Sequence, residues 1–332
     1  MEIFFIQILT DYIEGTKFLQ YKKSTLFFRK KGIMDKTKKT KLKYNKDWSW
    51  GYFMVAPTMI GLFILNIFPI FQTIYISFTK SGSFGKVSFV GLDNYKAIVQ
   101  DKLVLQSFIN TFNYTLITVP VGILLSLIVA VLLNSKIKGK TIYRTLFFLP
   151  VVSAPAAVAM VWKWIFNSDF GLINNFLGSI GIEGPKWLTN PKTALIAIAL
   201  VGIWSMIGYN MIILLAGLQE IPTSYYEAAD IDGAGPIRQF FSITLPLVTP
   251  TLFFVVITTL IGSLQVFDVI YMMIHRSNAA LPYVQSVVVL FYRYAFEMNM
   301  KGYGSAIIIL LFLVILIITY IQLKLQKKWV HY

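Results

Sequence analysis

The sequence predicts an all-α polytopic membrane protein with six transmembrane helices and a short polar elbow between two of them. Hydrophobic residues make up 56% of the 332 residues and charged residues only 14%, which is too apolar for a soluble domain of this length. Six runs without charged residues are long enough, or nearly long enough, to cross a bilayer. We therefore divide the chain into a basic arm at 1–49, a six-span domain at 50–328 that contains the elbow at 220–246, and a tail at 329–332.

The N-terminal arm is strongly basic, with 12 Lys or Arg residues against 5 Asp or Glu residues. Its densest part, Lys36–Lys43, is typical of a cytoplasmic segment beside a membrane, where each basic side chain gains roughly 1 kcal/mol from anionic lipid headgroups. A solvated tail that only fixes the topology is the simpler interpretation. Met34 offers a second start, so Met1–Ile33 is interpreted as either an accessory amphipathic segment or an overextended gene start.

Six apolar runs are predicted to be the transmembrane helices, because a spanning helix needs about 20 mostly apolar residues. They are Gly51–Thr79, Leu103–Ser135, Thr145–Trp162, Thr193–Gln219, Gln239–Phe267 and Gly302–Leu323. The third run is extended to Phe166, since Lys163 can snorkel to the interface. The fifth overlaps the elbow, so its span is placed at Leu247–Val269. Prolines interrupt these runs, and kinks there either border a cavity or only shape the packing; they are Pro57, Pro69, Pro120, Pro150 and Pro155.

Basic residues predict the orientation, because loops rich in Lys and Arg stay in the cytoplasm. With the N-terminus inside, the inner segments hold 20 of the 30 Lys and Arg residues and the outer segments hold 10. Without the N-terminal arm the tally is 8 inside against 10 outside, so the arm decides the assignment. Both termini and the elbow are accordingly predicted to be cytoplasmic.

Several chemistries are excluded by what the sequence lacks. It has no cysteine and only two histidines, so neither disulfides nor a thiolate metal site can form. We find no phosphate-binding Gly-x-x-x-x-Gly-Lys-Ser/Thr motif and no catalytic constellation, and we predict no enzymatic activity, metal or cofactor. The positive charges lie beside the apolar runs, which favours membrane orientation over nucleic-acid binding. The spans also lack the Asp, Glu and His chains of ion-coupled pumps, so uphill transport would need energy from a partner.

The elbow itself, Tyr225–Pro246, is the only long, mostly polar interval between two strongly apolar runs that carries its own helix start and stop signals. Ser224 followed by Glu227 matches a capping box, in which the serine and the glutamate satisfy the free N–H groups at a helix start. This pattern predicts that a short helix begins at Tyr225.

Glycine and proline predict the bend of the elbow. Gly233 and Gly235 can adopt the left-handed or strained backbone that ends a helix. Pro236 suits the first turn of a second helix, and Pro246 is predicted to stop that helix from continuing into the next apolar run. A rigid bent elbow attached to a membrane helix can transmit the movement of a soluble partner to that helix.

The surface of the elbow suggests how a partner would bind. Ala228 and Ala229 leave a smooth helix face that could enter a cleft. The carboxylates of Glu227, Asp230 and Asp232 lie together on an otherwise basic inner face, where an arginine-bearing partner could pair with them. The simpler interpretation is that Glu227 only completes the helix cap and that both aspartates are solvated turn residues.

Polar residues inside the fourth and fifth spans are the candidates for a solute path: Ser205, Tyr209, Asn210, Thr259, Ser263 and Gln265. Their neutral hydrogen-bonding groups suit a polyhydroxylated ligand better than an ion. Serine and threonine in spanning helices more often bond their own backbone or a neighbouring helix. Asn210 and Gln265 are stronger candidates, because an amide in hydrocarbon needs a partner.

At the elbow the sequence resembles a known family. The string from Glu227 to Ala234, with Ile243–Pro246 downstream, is similar to the EAA signature of binding-protein-dependent ABC importer permeases. More narrowly, the chain resembles the sugar permeases of the maltose and glycerol-3-phosphate type, and the first permease of the pair. The supporting segments are Phe89–Tyr95, Arg144–Pro150, Trp162–Phe166, Ala216–Gln219 and Gly262–Asp268.

The resemblance implies a six-span subunit of the type I ABC importer kind, in the plasma membrane of a bacterium. Its implied partners are a second homologous permease, two cytoplasmic ABC ATPase subunits and an extracellular solute-binding protein that delivers a sugar. The elbow would be the coupling helix, with Glu227 and Asp230 facing basic ATPase residues and Gly233 allowing the turn. Family sugar-contacting positions match Val151 and Pro155, which donate no side-chain hydrogen bond, so the sugar site is expected to be shifted or remade.

Three alternatives stay open at this point. The same architecture could carry glycerol phosphate or another solute, although the spans contain no arginine for a phosphate ester. An ion-coupled carrier or channel would work without ATP and without partners. A membrane scaffold that only binds an ATPase would show no ATPase stimulation by solute.

Overall fold

The computed structural model describes residues 47–81, 87–135 and 137–329, and these residues are mostly helical. The only strands within those ranges are β1, Thr79–Ser81, and β2, Val87–Phe89, which pair antiparallel with Thr79 opposite Phe89. The predicted basic arm, including Met1–Ile33, lies outside the described residues up to residue 46, and so do residues 330–332 of the predicted tail.

Two compact units divide the chain after Thr73. The described part of the first contains α1, Asp47–Leu62, followed by a π-helical turn, Phe63–Ile67. From there α2, Phe68–Ser77, continues into the second unit. Helix is unbroken over this stretch, which confirms the first predicted span.

The second unit contains all remaining helices of the described chain. The longer ones are α3 Asp93–Gln100, α4 Lys102–Asn134, α5 Lys140–Val152, α6 Pro155–Ile165, α7 Leu172–Ser179, α8 Pro191–Gln219, α9 Thr223–Ile231, α12 Thr249–Leu264 and α16 Lys301–Trp329. The shorter ones are α10 Pro236–Gln239, α11 Leu245–Leu247, α13 Asp268–Met273, α14 Leu281–Val284 and α15 Val287–Tyr292. Two further π-helical segments, Phe240–Thr244 and Arg293–Glu297, precede α11 and α16.

Five of the six predicted spans correspond to helical stretches that are long and apolar enough to cross a membrane. By length and composition, the helical stretches able to cross a membrane are Trp50–Ser77, Lys102–Asn134, Pro191–Gln219, Thr249–Met273 and Lys301–Lys327. Each agrees with a predicted span to within four residues at its ends, and the fifth agrees with the span placed at Leu247–Val269.

The third predicted span, Thr145–Phe166, is not one continuous helix. It is a pair of helices, α5 and α6, bent by 101° at Ser153 and Ala154. Ala154 is extended, with φ −60° and ψ 129°, because the ring of Pro155 disfavours helical backbone in the residue before it. Pro150 lies inside α5 without breaking it. The pair makes a sixth span if both halves are counted together.

Helix α8 is the centre of the second unit, because it packs against α4, α5 and α12. Its buried side includes Ala194, Ala197 and Val201, all fully buried. Gly208 lies against the backbone of Phe147 on α5, close enough that a Cβ at this position would meet the carbonyl carbon of Phe147 at 2.9 Å. The small residues of α8 therefore let its neighbours approach closely, as at other membrane helix interfaces.

Asp101 joins the start of α4 to the last span. One carboxylate oxygen accepts from the N–H of Leu103 at 2.8 Å and caps the helix. The other accepts from the hydroxyls of Tyr303 at 2.8 Å and Tyr294 at 3.2 Å. Burial, with a further contribution from the negative charge of Asp101, raises the pKa of Tyr294, so its hydroxyl keeps the proton that it donates.

Candidate functional site

The elbow connects two crossings of the second unit. Helix α8 ends at Gln219, and α9 follows after a three-residue link that contains the buried Ile221. After α9 the chain turns into α10, and the helical path then runs through a π-helical segment and α11 to the start of α12. The elbow is therefore fixed at both ends to helices of the core.

The start of α9 differs from the predicted capping box. The helix begins at Thr223, two residues before the predicted Tyr225, and its N-cap is Pro222, without a side-chain cap hydrogen bond. Pro222 has an extended backbone, with ψ 135°, directly after the buried Ile221. Ser224 consequently lies inside the first turn, where its hydroxyl is not placed to cap the helix. The capping-box prediction is wrong, although the helix that it predicts is present.

The end of α9 agrees with the sequence. Gly233 is left-handed, with φ 72°. The N–H of Ala234 donates to the carbonyl of Ala229 at 2.9 Å, and the N–H of Gly233 donates to the carbonyl of Asp230 at 3.0 Å. This pair of bonds is the Schellman motif, in which a left-handed residue satisfies the last carbonyls of a helix. Gly235 then becomes the N-cap of α10, and Pro236 occupies its first turn as predicted.

Pro246 does not interrupt the helical path, contrary to the prediction. The preceding segment, Phe240–Thr244, is π-helical, and the N–H of Leu245 donates to the carbonyl of Phe240. Pro246 therefore falls in the first turn of α11, a position that needs no intrahelical N–H. The wider π turn absorbs the hydrogen bond that the proline cannot make.

Two side-chain contacts hold the two arms of the elbow together. The amide nitrogen of Gln239 donates to the carboxylate of Asp230 at 2.5 Å and to the carbonyl of Ala234 at 2.9 Å. The hydroxyls of Tyr226 and Thr244 are hydrogen bonded at 2.9 Å. Sequence reasoning missed Gln239, Tyr226 and Thr244, because their partners become neighbours only once the turn at Gly233 has formed.

The predicted coupling residues form an accessible surface. The exposed members are Glu227, Ala228, Asp230, Asp232 and Gly233, whereas Ala229 is half-buried. Two isoleucines that the sequence analysis did not single out are exposed beside them, Ile231 at 88% and Ile237 at 77%. The elbow therefore exposes both carboxylates and apolar side chains, which can pair with cations and bury apolar area against a partner.

In the membrane, the predicted path residues Asn210 and Thr259 bind each other. The amide nitrogen of Asn210 lies 3.0 Å from the hydroxyl oxygen of Thr259, and that hydroxyl lies 3.2 Å from the amide oxygen. Both side chains are buried, so the pair links α8 to α12 within the two spans. The expectation that this amide needs a partner is met within the chain.

The other predicted path residues are arranged differently. Ser263 is buried and donates to the carbonyl of Leu260 at 2.9 Å, a bond within its own helix. Ser205 and Gln265 are half-buried and Tyr209 is exposed at 48%. Ser205, Tyr209 and Gln265 are thus the members of the set that the rest of this chain leaves accessible.

A double-mutant cycle tests the Asn210–Thr259 pair. Asn210→Leu or Thr259→Val alone leaves one buried polar group without its partner, which costs about 1–3 kcal/mol. Because the double variant removes both groups, we expect it to be more stable than the sum of the single losses, with a coupling of about 0.6–1.7 kcal/mol. Unfolding of the purified protein in detergent measures this coupling. Strictly additive losses would contradict the pairing.

A second group of polar residues, which the sequence analysis did not predict, lies beyond the other end of the fifth span. Arg276 forms an ion pair with Glu297, and Nε of Arg293 lies 3.9 Å from the same carboxylate. These residues line a cavity of about 240 Å³ together with Tyr271 and His275. They meet only through tertiary folding, since the segment between the two arginines contains two helices and two turns.

The fold and the elbow together define an integral membrane component of a transport system. The chain belongs to the family described as the binding-protein-dependent transport system inner membrane component, which matches residues 101–331. This membership confirms the family that the elbow motif predicts.

Described relatives align with most of the chain. The chain is 37% identical to the probable ABC transporter permease protein YesP of Bacillus subtilis (strain 168), over 86% of this chain and 93% of that protein. It is 35% identical to the sn-glycerol-3-phosphate transport system permease protein UgpA of Salmonella typhi, over 85% and 95%. It is 33% identical to the trehalose/maltose transport system permease protein MalF of Thermococcus litoralis (strain ATCC 51850 / DSM 5473 / JCM 8560 / NS-C), over 89% and 99%.

A solved structure shares the fold. A chain of a bacterial alginate ABC transporter, crystallised in complex with alginate pentasaccharide-bound periplasmic protein, superposes with a TM-score of 0.77. The alignment covers 85% of this chain and 95% of that chain at 22% identity.

Proposed function

We propose that this chain is the first of two permease subunits in an ATP-driven importer and forms part of the path for a sugar or oligosaccharide. Its partners are a second homologous permease, two cytoplasmic ABC ATPase subunits and an extracellular solute-binding protein. The protein lies in the plasma membrane of a bacterium. Its elbow and both termini lie in the cytoplasm. The chain contributes transport rather than catalysis.

The elbow is the observation that carries this proposal. Its surface combines Glu227 and Asp232 with the almost fully exposed Ile231 and Ile237. Exposed apolar side chains beside charged groups favour a protein partner, because burial of the isoleucines and pairing of the carboxylates both stabilise the complex. The elbow is stiffened by its own hydrogen bonds, so a partner that moves it also moves the ends of α8 and α12.

Movement of the ATPase subunits would therefore reach the membrane through two joined helices. Asn210 and Thr259 tie α8 to α12 in the membrane, while Tyr226 and Thr244 tie α9 to the segment that leads into α12. Closure of the ATPase dimer would rotate these helices together and switch the cavity between inward- and outward-facing states. Accessible polar side chains on the same helices, Ser205 and Gln265, would then contact the solute.

A sugar is the favoured solute because the path candidates are neutral hydrogen-bonding groups and because MalF carries a sugar by its description. Glycerol phosphate is the second candidate. It is favoured by the description of UgpA and by the two arginines at the outer cavity, Arg276 and Arg293.

Single cysteines test the orientation and the docking surface in one experiment, since the native chain contains no cysteine. Ala228→Cys places a thiol on the exposed elbow, and Glu183→Cys places one on an exposed loop beyond the third span. A membrane-impermeant maleimide should label Ala228→Cys only in inside-out vesicles and Glu183→Cys only in right-side-out vesicles. Added ATPase subunits should protect Ala228→Cys and leave Glu183→Cys unchanged.

The opposite sidedness of labelling would overturn the proposal, as would unchanged labelling of Ala228→Cys in a complex that contains the ATPase. Transport itself is tested by ATP-dependent uptake in reconstituted vesicles. Uptake without ATP would favour an ion-coupled carrier. ATPase activity that solute-loaded binding protein does not stimulate would favour a scaffold.

A further inference from the structure

The cavity between the fifth and sixth spans lies at the opposite end of a membrane crossing from the elbow. The elbow precedes the crossing Thr249–Met273, and the cavity is built from residues at its far end and from the segment that follows it. A cytoplasmic elbow therefore places the cavity on the side where solute arrives. Its volume of about 240 Å³ and its partly open shape suit a ligand of one or two sugar rings rather than a whole oligosaccharide.

The side chains that line this cavity carry more positive than negative charge. Arg276 and Arg293 face a single carboxylate, Glu297, so the charge of the lining at neutral pH is positive by one unit. The side chain of Glu297 is only 12% exposed, whereas that of Arg276 is 60% exposed and that of Arg293 is 25% exposed. An entering solute consequently meets guanidinium groups before it meets the carboxylate.

Arg293 is held in place by neighbours that are themselves fixed. One terminal nitrogen of its guanidinium donates to the side-chain oxygen of Gln285 at 2.6 Å. Gln285 is buried, and its backbone carbonyl accepts from the amide of Asn110 on α4 at 3.1 Å. A guanidinium offers five N–H donors, so one bond to Gln285 leaves most of its donors for other acceptors. The arginine is thus positioned before any ligand binds, which lowers the cost of binding.

The loop that follows Arg276 is also anchored. The amide of Asn278 donates to the backbone carbonyl of Leu188 at 3.0 Å, and its oxygen accepts from the N–H of Ala280 at 2.9 Å. Tyr271 lines the cavity, and its ring stacks on the ring of Phe267 with centroids 5.0 Å apart. The lining therefore combines a stacked aromatic ring with guanidinium donors. Apolar walls with a few placed polar groups are typical of small-molecule sites.

We propose that this cavity is an entry site for a solute that carries an oxyanion, either a carboxylate or a phosphate, on a polyhydroxylated body. The inference rests on the proposed importer function and narrows its substrate class. The oxyanion binds the guanidinium of Arg293 with Arg276 at the rim, since arginine forms bidentate hydrogen bonds with both kinds of group. The hydroxylated body lies against Tyr271.

Thermal unfolding of the full chain in detergent tests this site with three probes at equal ionic strength. D-glucuronate carries a carboxylate, glycerol 3-phosphate carries a phosphate, and D-glucose carries neither. We expect at least one anionic probe to raise Tm saturably, by about 2 °C or more, because a ligand that binds only the folded state stabilises it. Glucose should leave Tm unchanged. A shift with glucuronate alone assigns the carboxylate, and a shift with glycerol 3-phosphate alone assigns the phosphate.

Arg293→Gln should raise the half-saturating concentration of the active probe about tenfold or more, since a hydrogen bond to a charged group is lost. Arg276→Gln provides a second variant at an exposed position, in case the change at Arg293 disturbs folding. Arg293→Lys keeps the charge and should restore part of the binding. The matched control is Arg238→Gln, which removes an exposed arginine from the elbow at the other end of the crossing and should leave the shift unchanged.

Equal shifts with glucose and the anions would overturn the inference, as would no shift with any probe, or equal shifts in the native protein and in both arginine variants. Failure of the importer function itself has a separate signature, the wrong sidedness of Ala228→Cys labelling. A correctly oriented, ATP-dependent importer without an anion-dependent shift would therefore remove only this inference.

Discussion

Gly208→Ala is expected to disrupt the packing of α5 against α8 and to lower Tm by several degrees or to abolish folding. A Cβ at this position would meet the carbonyl oxygen of Phe147, with the carbonyl carbon at 2.9 Å and the Cα of Phe148 at 3.1 Å. These are backbone atoms, so no side-chain rotation can relieve the overlap. Overpacking of this kind typically costs about 1–3 kcal/mol and sometimes more. Thermal unfolding in detergent, followed by a tryptophan or light-scattering signal, measures the loss.

Gly262→Ala is the matched control for that variant. Gly262 lies within α12, and no described heavy atom beyond its helix is within 4 Å of an added Cβ. Alanine there should be neutral or stabilising by up to about 1 kcal/mol, because it favours helix over glycine. Equal Tm values for the Gly208 and Gly262 variants would show that α5 and α8 do not pack as closely as the structure places them.

Gly233→Val is expected to leave the protein inserted in the membrane while ATP-dependent uptake falls roughly five- to thirtyfold. Gly233 has φ 72°, and an L-residue in that conformation costs about 1–2 kcal/mol, with β-branched side chains among the least tolerated. Relief of this strain would unwind the Schellman turn. The connection between α9 and α10 would then no longer be held at a fixed angle. If the elbow spends only a small fraction of time in its docking conformation, coupling to the ATPase falls to that fraction.

Gly235→Val serves as the control for the elbow. Both glycines have open space around an added Cβ among the described atoms, but Gly235 has φ −68° and ψ 166°, which any residue adopts. The two variants therefore differ in backbone strain rather than in crowding. We expect near-normal uptake for the Gly235 variant, measured beside expression level and ATPase activity. Full uptake by the Gly233 variant would show that the turn does not transmit the movement.

The sequence predicts most of the helical framework because length and apolarity depend on local composition. Each of the six charge-free runs corresponds to helix, and the turn at Gly233 follows from the conformations that glycine alone adopts freely. Both Pro150 and Pro155 were predicted to interrupt the third span, but the sequence does not indicate which of them breaks it, and only the residue before Pro155 is extended. Tertiary packing decides which of two prolines ends a helix.

The candidate sites could be predicted only in part, for a related reason. Asn210 was expected to need a partner, but nothing in the sequence indicates that Thr259, 49 residues away, provides it. Arg276 and Arg293 meet at one cavity because a chain of short helices folds back between them. The elbow carboxylates were predicted as a group because they lie within one helix and its turn. Local patterns thus identify the coupling surface better than they identify a cavity.

The 101° bend between α5 and α6 means that this subunit is incomplete in a lipid environment. With 13 residues, α5 is about 20 Å long, short of the roughly 30 Å hydrocarbon layer, so a crossing made by the pair has its corner at depth. Acyl chains cannot hydrogen bond the peptide groups freed at such a corner, and irregular backbone at that depth is tolerated only against protein or water. Val152, at the corner, is 68% exposed on this chain alone. Another polypeptide or a hydrated passage therefore has to border the corner, and a bilayer around the isolated chain cannot replace it.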